Sequence, residues 1–327
     1  MGRFIVRRLG FMVLTVLLAS IIIFWATTIL PGDVASQILG RFATVEAKTA
    51  LRHELGLDRP VVVQYGSWLG NYVRGDWGDS PSMSTAVRPV IFQRLKNSLY
   101  LAAVAFVLFV PIGILLGLIA ALRKNTWVDQ AISIGSLAFI GLPEFVSGLI
   151  LITIFAIELG WFPSQSNIAP DSTFTEALPY LILPGITVAL TSLAYVVRMT
   201  RSSTVDVLQM DYVRTANLKG LPPRKVLFTH VLRNSLLPTI TVVAISIGWL
   251  IGGLIVTEAV YGYPGIGRLL LFAIQRRDLQ LVQATALLIV IIYVVANLVA
   301  DVLYAVLNPP HQIQLTPGRL RDRRRGS

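Results

Sequence analysis

Cysteine is absent from the 327 residues. Disulfides and thiolate metal sites are therefore excluded, and the redox compartment leaves no mark. Histidine is scarce: His53, His230 and His311 lie far apart with no ligand spacing, so no metal site is expected. Charge is scarce too, at 14% of residues against roughly 25% in a soluble domain. What remains is apolar: 54% of the chain is hydrophobic, mean hydropathy is +0.70, and the apolar residues come in blocks. That is the composition of a polytopic membrane protein with the lipid bilayer as solvent. The net charge of +11 would suggest nucleic acid in a soluble chain. Here its placement follows membrane topology, so no nucleic-acid partner is expected.

Six stretches are long and apolar enough to cross a bilayer as helices, near Leu9–Leu30, Ser98–Leu122, Ala131–Ile157, Pro179–Val197, Leu237–Thr257 and Ala284–Leu307. The first follows Arg3, Arg7 and Arg8 and is too long for a signal peptide. It is followed by Leu30-Pro31-Gly32-Asp33 instead of a small-residue cleavage site, and reads as a retained anchor. With the N-terminus inside, the cytoplasmic pieces carry three, two, seven and five Lys or Arg residues. The short outer pieces carry none (158–178) and three (258–283). The outer 31–96 piece carries eight, but long loops translocate largely regardless of charge. Both termini are thus expected in the cytoplasm. The fold expected is all-α, with six transmembrane helices.

Three regions are expected: 1–96, the first span plus an outer segment; 97–310, a core of five spans with a cytoplasmic loop at about 198–236; and 311–327, a basic tail. The outer segment predicts a short helix from Thr44 to Leu55 ended by Gly56 and Pro60, then an ordered cap bearing Tyr65, Trp68, Tyr72 and Trp77. The tail "GRLRDRRRGS" reads as solvated or drawn to anionic lipid.

The cytoplasmic loop contains "DYVRTANLKGLPPRKVLFTHVLRN", Asp211 to Asn234. Asp211 to Lys219 fits a short helix, and Gly220 suits a left-handed C-terminal cap. Pro222 and Pro223 forbid that helix to continue but suit the first turn of another, from Arg224 to Asn234. The result is two short helices at a rigid bend. One reading is a basic solvated loop obeying the positive-inside rule. The other is a docking element for a cytoplasmic partner, stiff enough to transmit motion.

Few charges fall within the spans. Glu144, in "GLPEF", is expensive in hydrocarbon unless paired, protonated or wetted. It reads either as a wall of a substrate path, able to bind a substrate amine, or as a structural glutamate beside a Pro143 kink. Asp301, one turn after Asn297, reads as structural. Glu258 sits at the outer end of the fifth span, where contact with a binding protein or a gate role is open to it. Gly248, Gly252 and Gly253 allow close helix approach. "GYPGIGRL" nearly matches a phosphate-binding loop, but Arg268 and Leu269 replace its Lys and hydroxyl residue. No strand precedes it and topology puts it outside, so the chain carries no ATPase motif.

The Asp211–Asn234 segment resembles the coupling loop of ABC-importer permeases, whose pattern is Glu-Ala-Ala, three residues, Gly, nine residues, Ile-x-Leu-Pro. Only Ala216, Gly220 and Leu232 match that general pattern. Arg214-Thr215-Ala216 and the Arg233-Asn234 before Leu-Leu-Pro are similar to the dipeptide/oligopeptide/nickel branch. "RFIVRRLGFMVLTVLLASIIIFWATTILPGDVA", "LGLDRPVVVQYGSWLGNYVRGDWGDS" and "TEAVYGYPGIGRLLLFAIQRRDLQLVQ" resemble the same branch, so the likeness covers nearly the whole chain. The resemblance implies the type I importer permease fold in a bacterial inner membrane. It implies a second, similar permease, two cytoplasmic ATPases and an external binding protein, with ATP and magnesium held by the ATPases and no cofactor in this chain. It implies an ATPase-coupling role for Asp211, Arg214, Thr215, Ala216, Lys219, Gly220, Pro222, Arg224, Arg233 and Asn234. The alternative is a proton-coupled secondary transporter with Glu144 and Asp301 as relays. An intramembrane enzyme has no support, since no span carries a Ser-His, paired-Asp or His-Glu-x-x-His arrangement.

Overall fold

A computed structural model describes residues 2–29, 39, 43–54, 58–169 and 172–307. The chain opens with α1 (Gly2–Ile29), α2 (Val45–Glu54) and α3 (Val61–Arg74). An antiparallel hairpin follows, β1 (Asp79–Ser80) with β2 (Thr85–Ala86). Then come α4 (Val87–Leu122), α5 (Trp127–Gly141), α6 (Glu144–Leu151, extended by a π-helical segment Ile152–Glu158) and α7 (Phe174–Leu208). α8 (Asp211–Leu218) leads to α9 (Pro223–Lys225), which runs through a π-helical segment, Val226–Val231, into α10 (Leu232–Val260). α11 (Ile266–Arg276) and α12 (Leu279–Leu307) complete the chain. The expected Pro31-Gly32-Asp33 exit, the Gly56 stop and the 311–327 tail lie outside the described residues. The expected boundary at residue 96 falls within α4.

Among the described residues, five helices are each long and apolar enough to cross a membrane: α1, α4, α7, the α9–α10 run and α12. The third expected span is not one helix. α5 and α6 meet at a bend of 110°. Leu142 is extended (φ −86°, ψ 128°), as a residue before proline prefers, and Pro143 brings no N–H to continue the α5 ladder. The expected kink is therefore a full break, and Glu144, midway along the broken pair, stands in the first turn of its second helix. The broken pair still carries the chain across. Beyond it the Ser166 N–H donates to the carbonyl of Tyr261, past the far end of α10, at 2.8 Å.

Within hydrocarbon, apolar surface gains little by leaving lipid for a neighbouring helix, so tight van der Waals contact holds helices together. α4 and α7 achieve it through glycine. Gly113 and Gly117 are four residues apart and share one helix face. A Cβ on Gly117 would lie 2.6 Å from Cβ of Thr200 and 2.7 Å from the carbonyl oxygen of Val197. A Cβ on Gly113 would lie 2.8 Å from Cγ1 of Val196. Towards the other end the roles reverse, and Gly185 of α7 receives Val104 of α4. α10 packs on α7, α12 on α10, and α1 on α12. The α1–α12 pair is pinned twice: Arg8 to Asp301 at 2.6 Å, and Gln283 Nε2 to Thr27 Oγ1 at 2.7 Å. Those two pins make the helices antiparallel, with the start of α1 beside the end of α12.

At the opposite end, rings of Phe24, Trp68, Tyr72, Trp77 and Phe92 form a continuous chain at 4.9–6.1 Å between centroids. It joins α1, α3 and α4 into one packed unit. Asp278 adds a polar latch. Its carboxylate accepts from Ser80 Oγ (2.5 Å) and Ser82 Oγ (2.6 Å) of the hairpin, and from Leu281 N (3.1 Å) at the start of α12.

Replacing Gly117 with valine should force α4 and α7 apart, at a cost of about 1–3 kcal/mol. The purified chain in detergent should then melt several degrees lower. An unchanged melt would show that the two helices do not approach this closely.

Candidate functional site

The cytoplasmic-loop residues form an elbow. Asp211 opens α8, and Thr215 Oγ1 donates back to the Asp211 carbonyl at 2.9 Å. Gly220 takes φ +72°, a left-handed conformation that ends α8 and turns the chain, and its N–H donates to the Asn217 carbonyl at 3.0 Å. Pro222 is extended and caps α9, with Pro223 at its first position. Val213, Ala216, Val226 and Val231 are buried together and clamp the two arms. Asn234 Nδ2 bridges them by donating to the Tyr212 hydroxyl at 2.9 Å. Arg214, Lys219, Arg224 and Arg233 all point outward. Leu218 (80% exposed) and Phe228 (66% exposed) stand among them. The elbow thus has a closed apolar inside and an outer surface both cationic and apolar.

The elbow is joined rigidly to the bundle. α7 enters it and α10 leaves it. Thr200 and Thr239 share a hydrogen bond at 3.1 Å, and Ser203 Oγ donates to the Ser235 carbonyl at 2.7 Å, stitching the two arms just inside the bundle. Arg201 on α7 grips Asp129 on α5 with two bonds, at 2.5 and 2.7 Å. A paired arginine and carboxylate in fork geometry is a strong, directional link. The elbow is therefore tied to α5, α7 and α10 together.

Midway along the bundle, α6, α7, α10 and α12 surround a cavity of about 550 Å³. Its walls are mostly apolar, and Thr191, Ser192, Tyr293, Trp249 and Glu144 are among the residues that line it. Glu144 is held by a hydrogen bond from Thr257 Oγ1. It lies so close to Gly253 that a Cβ there would be 2.7 Å from Oε2. Gly248 is similarly close to Asn297, whereas Gly252 has open space beside it. The three glycines thus admit polar side chains and leave room, more than they bring backbones together. No ion pair among the described residues involves Glu144.

Glu258 is not presented at a surface. It is fully buried at the far end of α10. Its carboxylate accepts from Ser98 Oγ (2.5 Å), Gly267 N (2.7 Å) and Arg268 N (3.1 Å). Ser98 in turn accepts from Ile266 N at 2.8 Å. The phosphate-loop look-alike is thus an anion cradle after all, but the anion is the chain's own. The N-terminus of α11 binds Glu258 as it would a phosphate. A Cβ on Gly265 would overlap the Glu258 carboxylate, so any other residue there would push Glu258 out of this cradle. Nearby, Tyr263 donates to the Asn97 carbonyl at 2.7 Å, and burial pushes its phenol up so that it stays a neutral donor. Asp301 is paired with Arg8, as a structural carboxylate would be.

Several of these residues escaped the reading of the sequence. Asp129 carried a local signal, Thr126-x-x-Asp129, and Thr126 is indeed the N-cap of α5. Ser98 and Tyr212 carried none, since their partners lie 160 and 22 residues away.

An apolar helical bundle with a mid-depth cavity and a stiff elbow at one end has the build of a membrane permease worked from one face. Residues 113–310 match the model of the binding-protein-dependent transport system inner membrane component, and residues 1–97 match the model of the N-terminal part of such components. The chain belongs to this family: it is a permease subunit of an ABC importer, a multi-pass protein of the inner membrane. It is 37% identical over 309 residues to the probable peptide ABC transporter permease protein y4tP of Sinorhizobium fredii, covering 94% of this chain and 99% of that one. Against a putative peptide transport system permease protein of Brucella suis the identity is 38%, covering 94% and 98%. Against the glutathione transport system permease protein GsiC of Escherichia coli K12 it is 37%, again covering 94% and 98%. Importers of this family set the permease beside ATPase and substrate-binding partners.

Changing Glu258 to alanine should strand the donors of Ser98, Gly267 and Arg268, each at about 1–3 kcal/mol. Glutamine keeps one acceptor oxygen and should fall between. The check is thermal unfolding of the purified chain in detergent, with stability in the order Glu, Gln, Ala. An alanine variant as stable as the parent would remove Glu258 from the architecture of the outer end.

Proposed function

We propose that this permease forms half of the path of an ATP-driven, binding-protein-dependent importer of peptides or similar small solutes. A second homologous permease supplies the other half. Two cytoplasmic ATPases, which hold the ATP and magnesium, grip the elbows, and an external binding protein delivers substrate. The elbow carries the proposal. A rigid, apolar-cored bend with an exposed face of Arg214, Lys219, Arg224, Arg233, Leu218 and Phe228 suits insertion into a cleft on a separate motor.

The mechanism is alternating access. Closure of the ATPase pair would displace the elbow. Because α10 runs unbroken from Leu232 to Val260, that displacement reaches the Glu258 cradle at the far end. The cavity lies between, so its two ends are worked by one rod. Glu144 lines this path. Glu258 acts on the outer gate as a fastening for α10, α4 and α11. Relatives named as peptide permeases support the substrate class. A proton relay through Glu144 and Asp301 finds no support, as Asp301 is paired with Arg8 and the relatives are ABC permeases.

The test uses the assembled complex in proteoliposomes with ATP inside and tri-alanine as the probe. Uptake should need ATP and the binding protein and should survive an uncoupler. Gly220→Val meets open space but cannot hold φ +72° without about 1–2 kcal/mol of strain, so uptake should fall about tenfold with insertion unchanged. Uptake by this chain alone, abolished by an uncoupler, would overturn the reading.

A further inference from the structure

We infer that the mid-depth cavity is an ammonium site, in which Glu144 takes the free amino group of a substrate passing through. The inference rests on the importer reading above and adds a chemical class to it.

Several observations converge. A carboxylate at membrane depth is costly unless it is paired, protonated or wetted, and a passing cation would pair it. Glu144 has one compensation within the chain, the hydrogen bond from Thr257, and among the described residues no Lys or Arg pairs with it. One hydroxyl donor satisfies only part of a carboxylate, which offers about four acceptor sites. Gly253 matters here. A Cβ at that position would lie 2.7 Å from Oε2 and 3.1 Å from Oε1, so glycine is what lets the carboxylate occupy its place on the cavity wall.

The rest of the wall suits the same ligand. Trp249 and Tyr293 line the cavity and remain 54% and 44% exposed. Tyr195 meets the Trp249 ring edge-on at 5.3 Å, which orients the indole. Aromatic faces attract cations, indole most strongly. Hydroxyls of Thr191 and Ser192 can accept the remaining N–H bonds. A carboxylate, two aromatic rings and hydroxyl acceptors around about 550 Å³ form a receptor for a primary ammonium on a small organic body. An anionic end of the same molecule finds no basic side chain in this wall.

The test compares the complex carrying Glu144 with the Glu144→Gln variant. Glutamine can still accept from Thr257, so a purely structural role survives the change. In proteoliposomes, tri-alanine is set against lactyl-alanyl-alanine, which replaces the amino group by hydroxyl. The same binding protein feeds both complexes, so its own preference cancels when the two ratios are compared. Glu144→Gln should lower the uptake of tri-alanine relative to the hydroxyl analogue about tenfold. An unchanged ratio would overturn the proposal, whether both fluxes fall together or neither falls.

A second measurement stands apart from peptide transport. Saturation-transfer NMR on the complex in nanodiscs should show phenethylammonium bound in the parent and lost in Glu144→Gln, with 2-phenylethanol indifferent to the change. If tri-alanine is not transported yet phenethylammonium binding depends on Glu144, the ammonium site stands and the peptide reading falls. If phenethylammonium binds both forms alike, or neither, the ammonium site is refuted.

Discussion

Helices in lipid have no oil to flee into, and this bundle answers that constraint by contact distance. Gly113 and Gly117 of α4 and Gly185 of α7 remove the side chains that would hold the two helices apart. The gain is dispersion across a long seam, and α4 and α7 are 36 and 35 residues long, so the seam is extensive. α10 packs against α7, α12 against α10 and α1 against α12. If the seam opened, the cavity wall on α7, the Asp129–Arg201 grip and the Ser98–Glu258 bond would lose their alignment together.

Polar groups then work as fasteners at chosen depths. At the elbow end they are Asp129 with Arg201, Thr200 with Thr239, and Arg8 with Asp301. At the other end they are Asp278 with the hairpin serines and Glu258 with the start of α11. Between them lies the cavity, where Glu144 has one hydroxyl donor. The ends are thus tied by charge and hydrogen bonds, and the middle is lightly tied.

Local chemistry was legible in the residues, and long-range pairing was not. Apolar run length located the crossings, and Gly220, Pro222 and Pro223 marked the bend because their backbone preferences are intrinsic. The glycine pair at 113 and 117, four residues apart in an apolar run, is as readable a close-packing motif as Gly248, Gly252 and Gly253. Pro143 announced a distortion, but its size of 110° depends on what α6 packs against. Glu258 looked like a surface group because the end of a span normally is one. Its donors come from Ser98, far back in the chain, and from backbone N–H groups, which have no letter in a sequence.

The π-helical stretch Val226–Val231 has a consequence for everything after it. A π-helical turn holds one more residue than the α-helical turn it replaces. Each residue advances an α-helix by about 100°, so the extra residue sets the azimuth of the whole of α10. The faces on which Gly253, Thr257 and Glu258 emerge are thereby chosen at the base of the helix, several turns below. Deleting one residue from the stretch would leave composition and hydropathy almost untouched. It would also swing the Thr257 hydroxyl away from Glu144 and the Glu258 carboxylate out of its cradle.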